Sequence, residues 1–494
     1  MLHIKEEAAR CLLCEDAPCT KACIKGDPAR AIRAIRFDNI KNAGRWIADC
    51  SDADLERAEQ ACIHYDQPIR IRELLRPVCC DAIATDTPCP TDAAAPSLAI
   101  TFCGIRCENP FFLASSAICT NYEMVARAFD MGWAGVFYKT ICKQEIREVS
   151  PRFDAMKEGT SFAGFRNMEQ LSENPYEVDF DILKRLKQNY PKKVVVASIM
   201  GQFEEEWIEL ARMAEFAGCD AVELNFSCPQ MRLAGMGSDV GQDHELVTAY
   251  TAYVKQNVKI PVIPKMTPNI THMKEPALGA YFAGADAISA INTIKSVTFS
   301  PEAEVSDKKT VSGYSGRAVK PIAQRFILEL AQNSIMKGLE LSGIGGIETW
   351  RDALEYIQIG CRNVQVCTAI MEYGYRIIDD LILGMQTYLT ERSLAAGKTL
   401  TLEDLVGEQL PSFVQPSELD RDTMVLPKID REKCMGCGRC HISCTDGGHQ
   451  AITFDLTERK PHIVGQKCVG CHLCRLVCPT GAIGLSKRFK KAKL

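Results

Sequence analysis

The chain has 494 residues, 46% of them hydrophobic and 24% charged, with a formal net charge of −5 and an isoelectric point near 6.0. That balance is ordinary for a globular protein and gives no electrostatic reason to expect nucleic-acid binding. No apolar run reaches the roughly 18 residues of a membrane span, and the start MLHIKEEAAR lacks the apolar core of a signal peptide, so a cytoplasmic protein is expected.

The length suggests about three domains. The 25 cysteines, in a chain with no export signal, point to metal or redox chemistry rather than disulfides.

Residues 1–78 are rich in Ala, Arg, Glu and Ile, and the spacing in PARAIRAIRFDNI and ADLERAEQACIHY predicts helices. The stretch 79–97, CCDAIATDTPCPTDAAAPS, has no periodicity and reads as a linker, its Cys79, Cys80 and Cys89 without evident partners. After a predicted hairpin in LAITFCGIRCENP, short apolar runs alternate with helical patterns from 98 to 385. These runs are FFLASS (111–116), GVFYKT (135–140), VVVASIM (194–200), AVELNFS (221–227), VIPKMT (262–267), AISAINT (287–293), LSGIGGI (341–347) and NVQVCTA (363–369). Strands followed by helices in this number predict an α/β fold, a parallel (β/α)8 TIM barrel. Residues 386–430 read as a connecting extension of helix and loop, 431–494 as a small separate domain, and the closing KRFKKAKL as a solvated, disordered tail.

That last domain carries CMGCGRCHISC (434–444) and CVGCHLCRLVCP (468–478), both C-x2-C-x2-C-x3-C. The doubled run is the ferredoxin pattern for two 4Fe–4S clusters, in which each fourth cysteine reaches the other cluster. Cys434, Cys437, Cys440 and Cys478 form one expected set; Cys468, Cys471, Cys474 and Cys444 form the other. Two zinc knuckles are the competing reading. Near the N-terminus CLLCEDAPCTKAC offers Cys11, Cys14, Cys19 and Cys23 for a further iron–sulfur cluster, with Cys50 and Cys62 as possible contributors downstream.

Active sites of such barrels lie at the C-terminal ends of the strands. The residues predicted there are Ala114, Ser115, Ser116, Lys139, Thr140, Asn225, Ser227, Cys228, Lys265, Asn292, Thr293, Gly343, Gly345, Gly346, Cys367 and Thr368. Glycines after the seventh strand suit a phosphate, and two strand-end lysines suit an anionic ring, so a flavin cofactor is expected. Cys228, beyond a buried strand, is then a candidate general acid, and the glycine-bearing segment 233–243 a candidate lid. Asn167, Asn225 and Asn292 offer the donors and acceptors that a pyrimidine ring needs.

At LNFSCP, AINT, the barrel-end lysines and SGIGGI the sequence resembles the FMN barrel of dihydroorotate dehydrogenases. With the ferredoxin unit that follows, it resembles dihydropyrimidine dehydrogenases, in particular the catalytic subunit of the bacterial NAD-dependent type. The resemblance covers residues 98–494. It implies reduction of the 5,6-double bond of uracil or thymine, with hydride from FMN and a proton from Cys228. It further implies that Asn167, Asn225, Phe226, Ser227, Asn292 and Thr293 hold the pyrimidine. Ala114, Ser115, Lys139, Thr140, Lys265, Gly316, Gly343, Gly345, Gly346, Cys367 and Thr368 would hold FMN. Gln230 departs from the asparagine usual in the dihydroorotate branch.

The N-terminal CLLCEDAPC is similar to the helical iron–sulfur domain of mammalian dihydropyrimidine dehydrogenase and of glutamate synthase small subunits, where Cys23 would serve a second cluster. The chain has no strand-following G-x-G-x-x-G, so electrons are expected from an FAD/NAD(P)H reductase subunit or a ferredoxin, in a homodimer or heterotetramer. A dihydroorotate dehydrogenase-type flavoenzyme and a non-catalytic electron relay are the alternatives.

Overall fold

The computed structural model describes residues 2–84, 95–229, 231, 235–299 and 310–491. Two compact units result: Glu7–Pro411, and a second built from Ser412 onward together with the extreme N-terminus.

In the first unit the hairpin of β1 (Ile100–Phe102) and β2 (Ile105–Cys107) precedes the barrel. The barrel opens with β3 (Phe111–Leu113) and β4 (Gly135–Phe137); β5 (Phe153–Glu158) and β6 (Ser161–Asn167) then form an inserted hairpin. Next come β7 (Val194–Ile199), β8 (Ala221–Asn225), β9 (Val262–Lys265) and β10 (Ala287–Ala290). Two further inserted strands, β11 (Ile294–Ser296) and β12 (Ser312–Ser315), precede β13 (Glu340–Ile344) and β14 (Cys361–Val366). The sheet β3-β4-β7-β8-β9-β10-β13-β14 closes on itself, with Val364 of β14 opposite Phe111 of β3. All of its pairings are parallel. The expected eight-stranded barrel is therefore the observed one. Its strands read as apolar runs because helices cover the outside and side chains fill the inside. The inserted strands form an antiparallel sheet, β11-β12-β6-β5.

The N-terminal helices pack with the barrel in this same unit. Helix Pro28–Arg36 starts at Asp27, whose carboxylate accepts from the Arg30 N–H, and buries Ala31, Ile32, Ala34 and Ile35. From it Arg33 Nε reaches Asp380 Oδ2 at 2.7 Å on the helix Ile377–Ala396. Burial pushes the Asp380 carboxyl up to about 6 despite that partner.

Two expected boundaries move. Helix Ile71–Ala84 runs into the predicted linker, because Leu74, Leu75 and Val78 continue a buried face past Pro77. The expected barrel end at 385 falls inside the 20-residue helix Ile377–Ala396. The side chains of Cys79 and Cys80, and all of Cys89 and Gln230, lie outside the described residues.

The second unit contains three small antiparallel pairs. These are β15 (Thr423–Met424) with β20 (Phe489–Lys490), β16 (Pro427–Ile429) with β19 (Ile483–Leu485), and β17 (Ile452–Asp455) with β18 (Lys460–Ile463). The pairing of β20 corrects the expectation of a wholly disordered basic tail. Arg488 there donates to Asp420 and Thr423, so its charge is tied down. Among the described residues no helix is long and apolar enough to cross a membrane.

Candidate active site and cluster sites

An open cleft lies at the C-terminal ends of the barrel strands. It gathers Ala114, Ser115, Ser116, Lys139, Thr140, Asn167, Asn225, Cys228, Lys265, Asn292, Thr293, Gly316, Gly345, Gly346, Cys367 and Thr368. Phe165 and Asn167 from β6, with Tyr314 and Ser315 from β12, wall one side.

Buried polar groups here satisfy one another, as they must away from water. Asn225 donates Nδ2 to Thr140 Oγ1 at 2.8 Å, while its Oδ1 accepts from Ser227 Oγ at 2.7 Å. Ser227 in turn accepts from Asn292 Nδ2 at 2.9 Å, and Asn292 Oδ1 takes the Thr293 N–H at 2.7 Å. Two asparagines on different strands are thus held in fixed orientation through one serine.

Both lysines are buried and paired. Lys139 Nζ lies 2.8 Å from Glu169 Oε2, and Glu169 Oε1 also faces Arg152 at 3.1 Å. Lys265 Nζ lies 3.6 Å from Glu223 Oε1 inside the barrel. Across the cleft, Gly316, Gly345 and Gly346 hold φ of +91°, +130° and +70°. A Cβ on Gly346 would stand 2.8 Å from Lys320 Cβ and 2.9 Å from the Gly316 carbonyl, so only glycine lets backbone amides line this wall. Gln365 Oε1 is buried in the lining without a hydrogen-bond partner among the described residues. An N–H on a bound ring would satisfy such an acceptor. Glycine wall, lysines and unpaired acceptor together fit a phosphate-bearing flavin.

Three residues expected at the site fall outside the cleft lining. Phe226 is fully buried away from the cleft and packs on Trp207, ring centroids 5.1 Å apart. Gly343 faces outward, where a Cβ would stand 2.5 Å from Tyr356 Cδ1. Ser227 is absent from the lining and orients the asparagines instead. The reading of the sequence also missed Glu169, Gln170, Glu348 and Gln365, all of which line the cleft. A signal existed for Glu169, which stands two residues beyond Asn167 in FRNMEQ. Burial pushes the Glu348 carboxyl up to about 7, helped by the nearby Glu372.

At the N-terminus Cys11, Cys14, Cys19 and Cys62 line one small cavity walled by Pro18, Ile32, Ile69 and Ile71. Cys23 is not among them. Its Sγ lies 3.4 Å from Cys50 Sγ, a position open only because residue 26 is glycine: a Cβ there would stand 2.4 Å from the Cys50 sulfur. Cys62, which the loop after helix Asp52–Gln60 carries back, takes the place beside Cys11, Cys14 and Cys19 that was expected for Cys23. The cysteine loop is tied to the barrel by Arg36. Its Nη1 donates to the Cys11 carbonyl at 2.8 Å, and its Nη2 to Ser161 Oγ at 2.6 Å and Tyr373 Oη at 3.2 Å. Tyr373 ends the helix that begins at Thr368 in the cleft.

In the second unit Cys434, Cys437, Cys440 and Cys478 line a cavity with Ile429, Pro461 and Ile483, as the cross-over pattern predicts. Cys444 and Cys474 are buried in the adjoining core, with Cys468 packed against it. Among the described residues no three His, Cys, Asp or Glu side chains converge on a single-ion site.

Residues 97–389 match the dihydroorotate dehydrogenase family and residues 427–485 a 4Fe–4S dicluster domain. The chain is 49% identical to the NAD-dependent dihydropyrimidine dehydrogenase subunit PreA of Escherichia coli strain K12, over 80% of this chain and 97% of the relative. The chain belongs to the dihydropyrimidine dehydrogenase family. A chloroplastic dihydropyrimidine dehydrogenase (NADP(+)) of Arabidopsis thaliana is 36% identical over 66% of this chain and 79% of that protein. The catalytic subunit of dihydroorotate dehydrogenase B (NAD(+)) of Pyrococcus abyssi is 34% identical over 61% of this chain and 97% of that protein. The dihydropyrimidine dehydrogenase family is thus built on the dihydroorotate dehydrogenase barrel, and the N-terminal 96 residues here lie outside both family matches.

Proposed function

We propose that this oxidoreductase reduces the 5,6-double bond of uracil or thymine, with FMN in the cleft. The observation that carries the reading is the Asn225–Ser227–Asn292 chain beside Cys228. Asn167, Asn225, Asn292 and Thr293 match the alternating N–H and C=O groups of a pyrimidine. Lys139, Lys265, Gly316, Gly345, Gly346 and Thr368 would hold the flavin, which supplies a hydride to C6. The Cys228 thiol gives C5 its proton.

Charge separates this from the orotate reading. Among the described residues, Lys139 and Lys265 are the only Lys or Arg residues lining the cleft, and each faces a carboxylate, Glu169 or Glu223. A 6-carboxylate would enter with its natural cations already neutralised and Glu169 repelling it.

Two 4Fe–4S clusters on the C-terminal cysteines, and one on Cys11, Cys14, Cys19 and Cys62, would bring in electrons singly. An FAD/NAD(P)H subunit or a ferredoxin in the cytoplasm would supply them, and the name of the Escherichia coli relative as a subunit supports a partner. The domain division into 1–78, 79–97, 98–385, 386–430 and 431–494 stays part of this reading, with the shifts described above.

The test is anaerobic. The chain is reduced with dithionite, and uracil, thymine or orotate is added while flavin reoxidation is followed. Reoxidation by uracil or thymine, with the dihydropyrimidine formed, is expected. Reoxidation by orotate alone would overturn the assignment.

A further inference from the structure

Glu223 is a carboxylate with no role in the reaction as described, and its setting is unusual. It lies on β8, two residues before Asn225, so both side chains point into the barrel and Glu223 sits one layer deeper. It is fully buried. Its Oε1 accepts from Ser198 Oγ at 2.9 Å, and its Oε2 has no hydrogen-bond partner among the described residues. A carboxylate so desolvated needs a counter-charge, and the ion pair the structure gives it is with Lys265, at 3.6 Å. Lys265 lines the cleft, but Glu223 does not. The lysine therefore stands between a buried anion beneath it and whatever ring occupies the cleft above.

The two cleft lysines are thus unequal. Lys139 meets a carboxylate that itself lines the cleft and is shared with Arg152. Lys265 meets one that no ligand can touch. The same anion is coupled to the pyrimidine side: Ser198 Oγ also lies 2.9 Å from Thr140 Oγ1, which accepts from Asn225.

We infer that Glu223 is a positioning residue that, through Lys265, sets how much positive charge the cleft floor presents to the flavin and so holds its reduction potential down. This rests on the flavin reading above. Reducing a flavin adds negative charge to its ring, and low-dielectric surroundings make a neighbouring fixed charge count heavily.

The experiment uses the full chain with FMN bound. The FMN midpoint potential is measured by anaerobic redox titration, and sulfite affinity at the flavin by its bleaching. Glu223→Gln, which keeps the shape, is expected to shift the potential positive and tighten sulfite several-fold. Lys265→Met is expected to shift both the other way, and the double variant to match Lys265→Met alone, because the effect runs through the lysine. Glu223→Asp, which withdraws the carboxylate from Lys265, should move the potential part of the way and serves if the glutamine variant does not fold. An unchanged potential in Glu223→Gln, or an equal positive shift without Lys265, would overturn the inference. FMN content of the unmodified chain reads the flavin assignment separately; a chain that takes up no FMN overturns that assignment and this one with it.

Discussion

The backbone N–H of Ser238 donates to the carbonyl of Cys228 at 2.9 Å. This bond fastens the middle of the glycine-bearing segment to the thiol residue itself. Gly237, beside it, holds φ of +60°, and a Cβ there would stand 2.4 Å from the Cys228 carbonyl oxygen. Gly237→Ala should displace Cys228, a strain on the order of 1–3 kcal/mol. Carried into the transition state, that slows pyrimidine reduction by about tenfold or more. Turnover at unchanged FMN content is the readout.

Cys228→Ala removes the proposed acid while the cleft wall keeps its backbone. Pyrimidine reduction should fall by about 10²–10⁴-fold, the usual worth of a placed general acid. Flavin and cluster absorption should be unaltered. Full turnover in this variant would remove Cys228 from the mechanism.

The two N-terminal cysteine sets make opposite predictions. Cys62→Ser should lose one cluster's iron, because Cys62 shares a cavity with Cys11, Cys14 and Cys19. Cys23→Ser should keep it, because Cys23 pairs with Cys50 instead. Iron content and the reduced-state electron paramagnetic resonance signal distinguish them.

Glu348 gives a pH dependence. Its folded value is about 7, raised by burial and by Glu372 and Asp352 against the opposing Arg317 and Arg36. Below about pH 7 it is neutral; as pH rises through that point it gains a charge in the cleft beside Gly345 and Gly346. FMN affinity should fall across that interval, by equilibrium titration. Glu348→Gln should flatten the fall. The folded state also holds a proton that an unfolded glutamate loses above about pH 4.3. The Glu348 contribution to stability is therefore fullest at low pH and is lost as pH rises through about 7.

Arg33→Ala leaves Asp380 buried without the partner it meets at 2.7 Å. Breaking a buried pair from one side costs about 3–5 kcal/mol. The N-terminal helices should become sensitive to limited proteolysis, while the barrel keeps its FMN.

Much of this was legible because the fold writes itself in local patterns. Eight buried parallel strands must be apolar on both faces, so FFL, GVF, VVVASI and their successors announce a barrel. The cysteine spacing of 434–444 and 468–478 carries its cross-over ligation within a short repeat. Strand ends could be read as site residues because the barrel sends them all to one mouth. Phe226, just past β8, and Gly343 fall outside the lining because successive residues along a strand face opposite ways, and which parity faces inward depends on the closed barrel.

What the sequence by itself determined was the barrel, the ferredoxin-like cysteine sets, the thiol at Cys228 and most of the cleft lining. Each follows from period, spacing or position at a strand end, which are properties of neighbouring residues. Tertiary structure alone decided the rest. It set Cys62 rather than Cys23 beside Cys11, Cys14 and Cys19, paired Lys139 with Glu169 and Lys265 with Glu223, and docked Arg36 between Cys11 and Tyr373. These partners lie up to hundreds of residues apart along the chain. What joins them is that burial leaves each charge or thiol only the neighbours that packing brings within a few ångströms, and no local pattern records that choice.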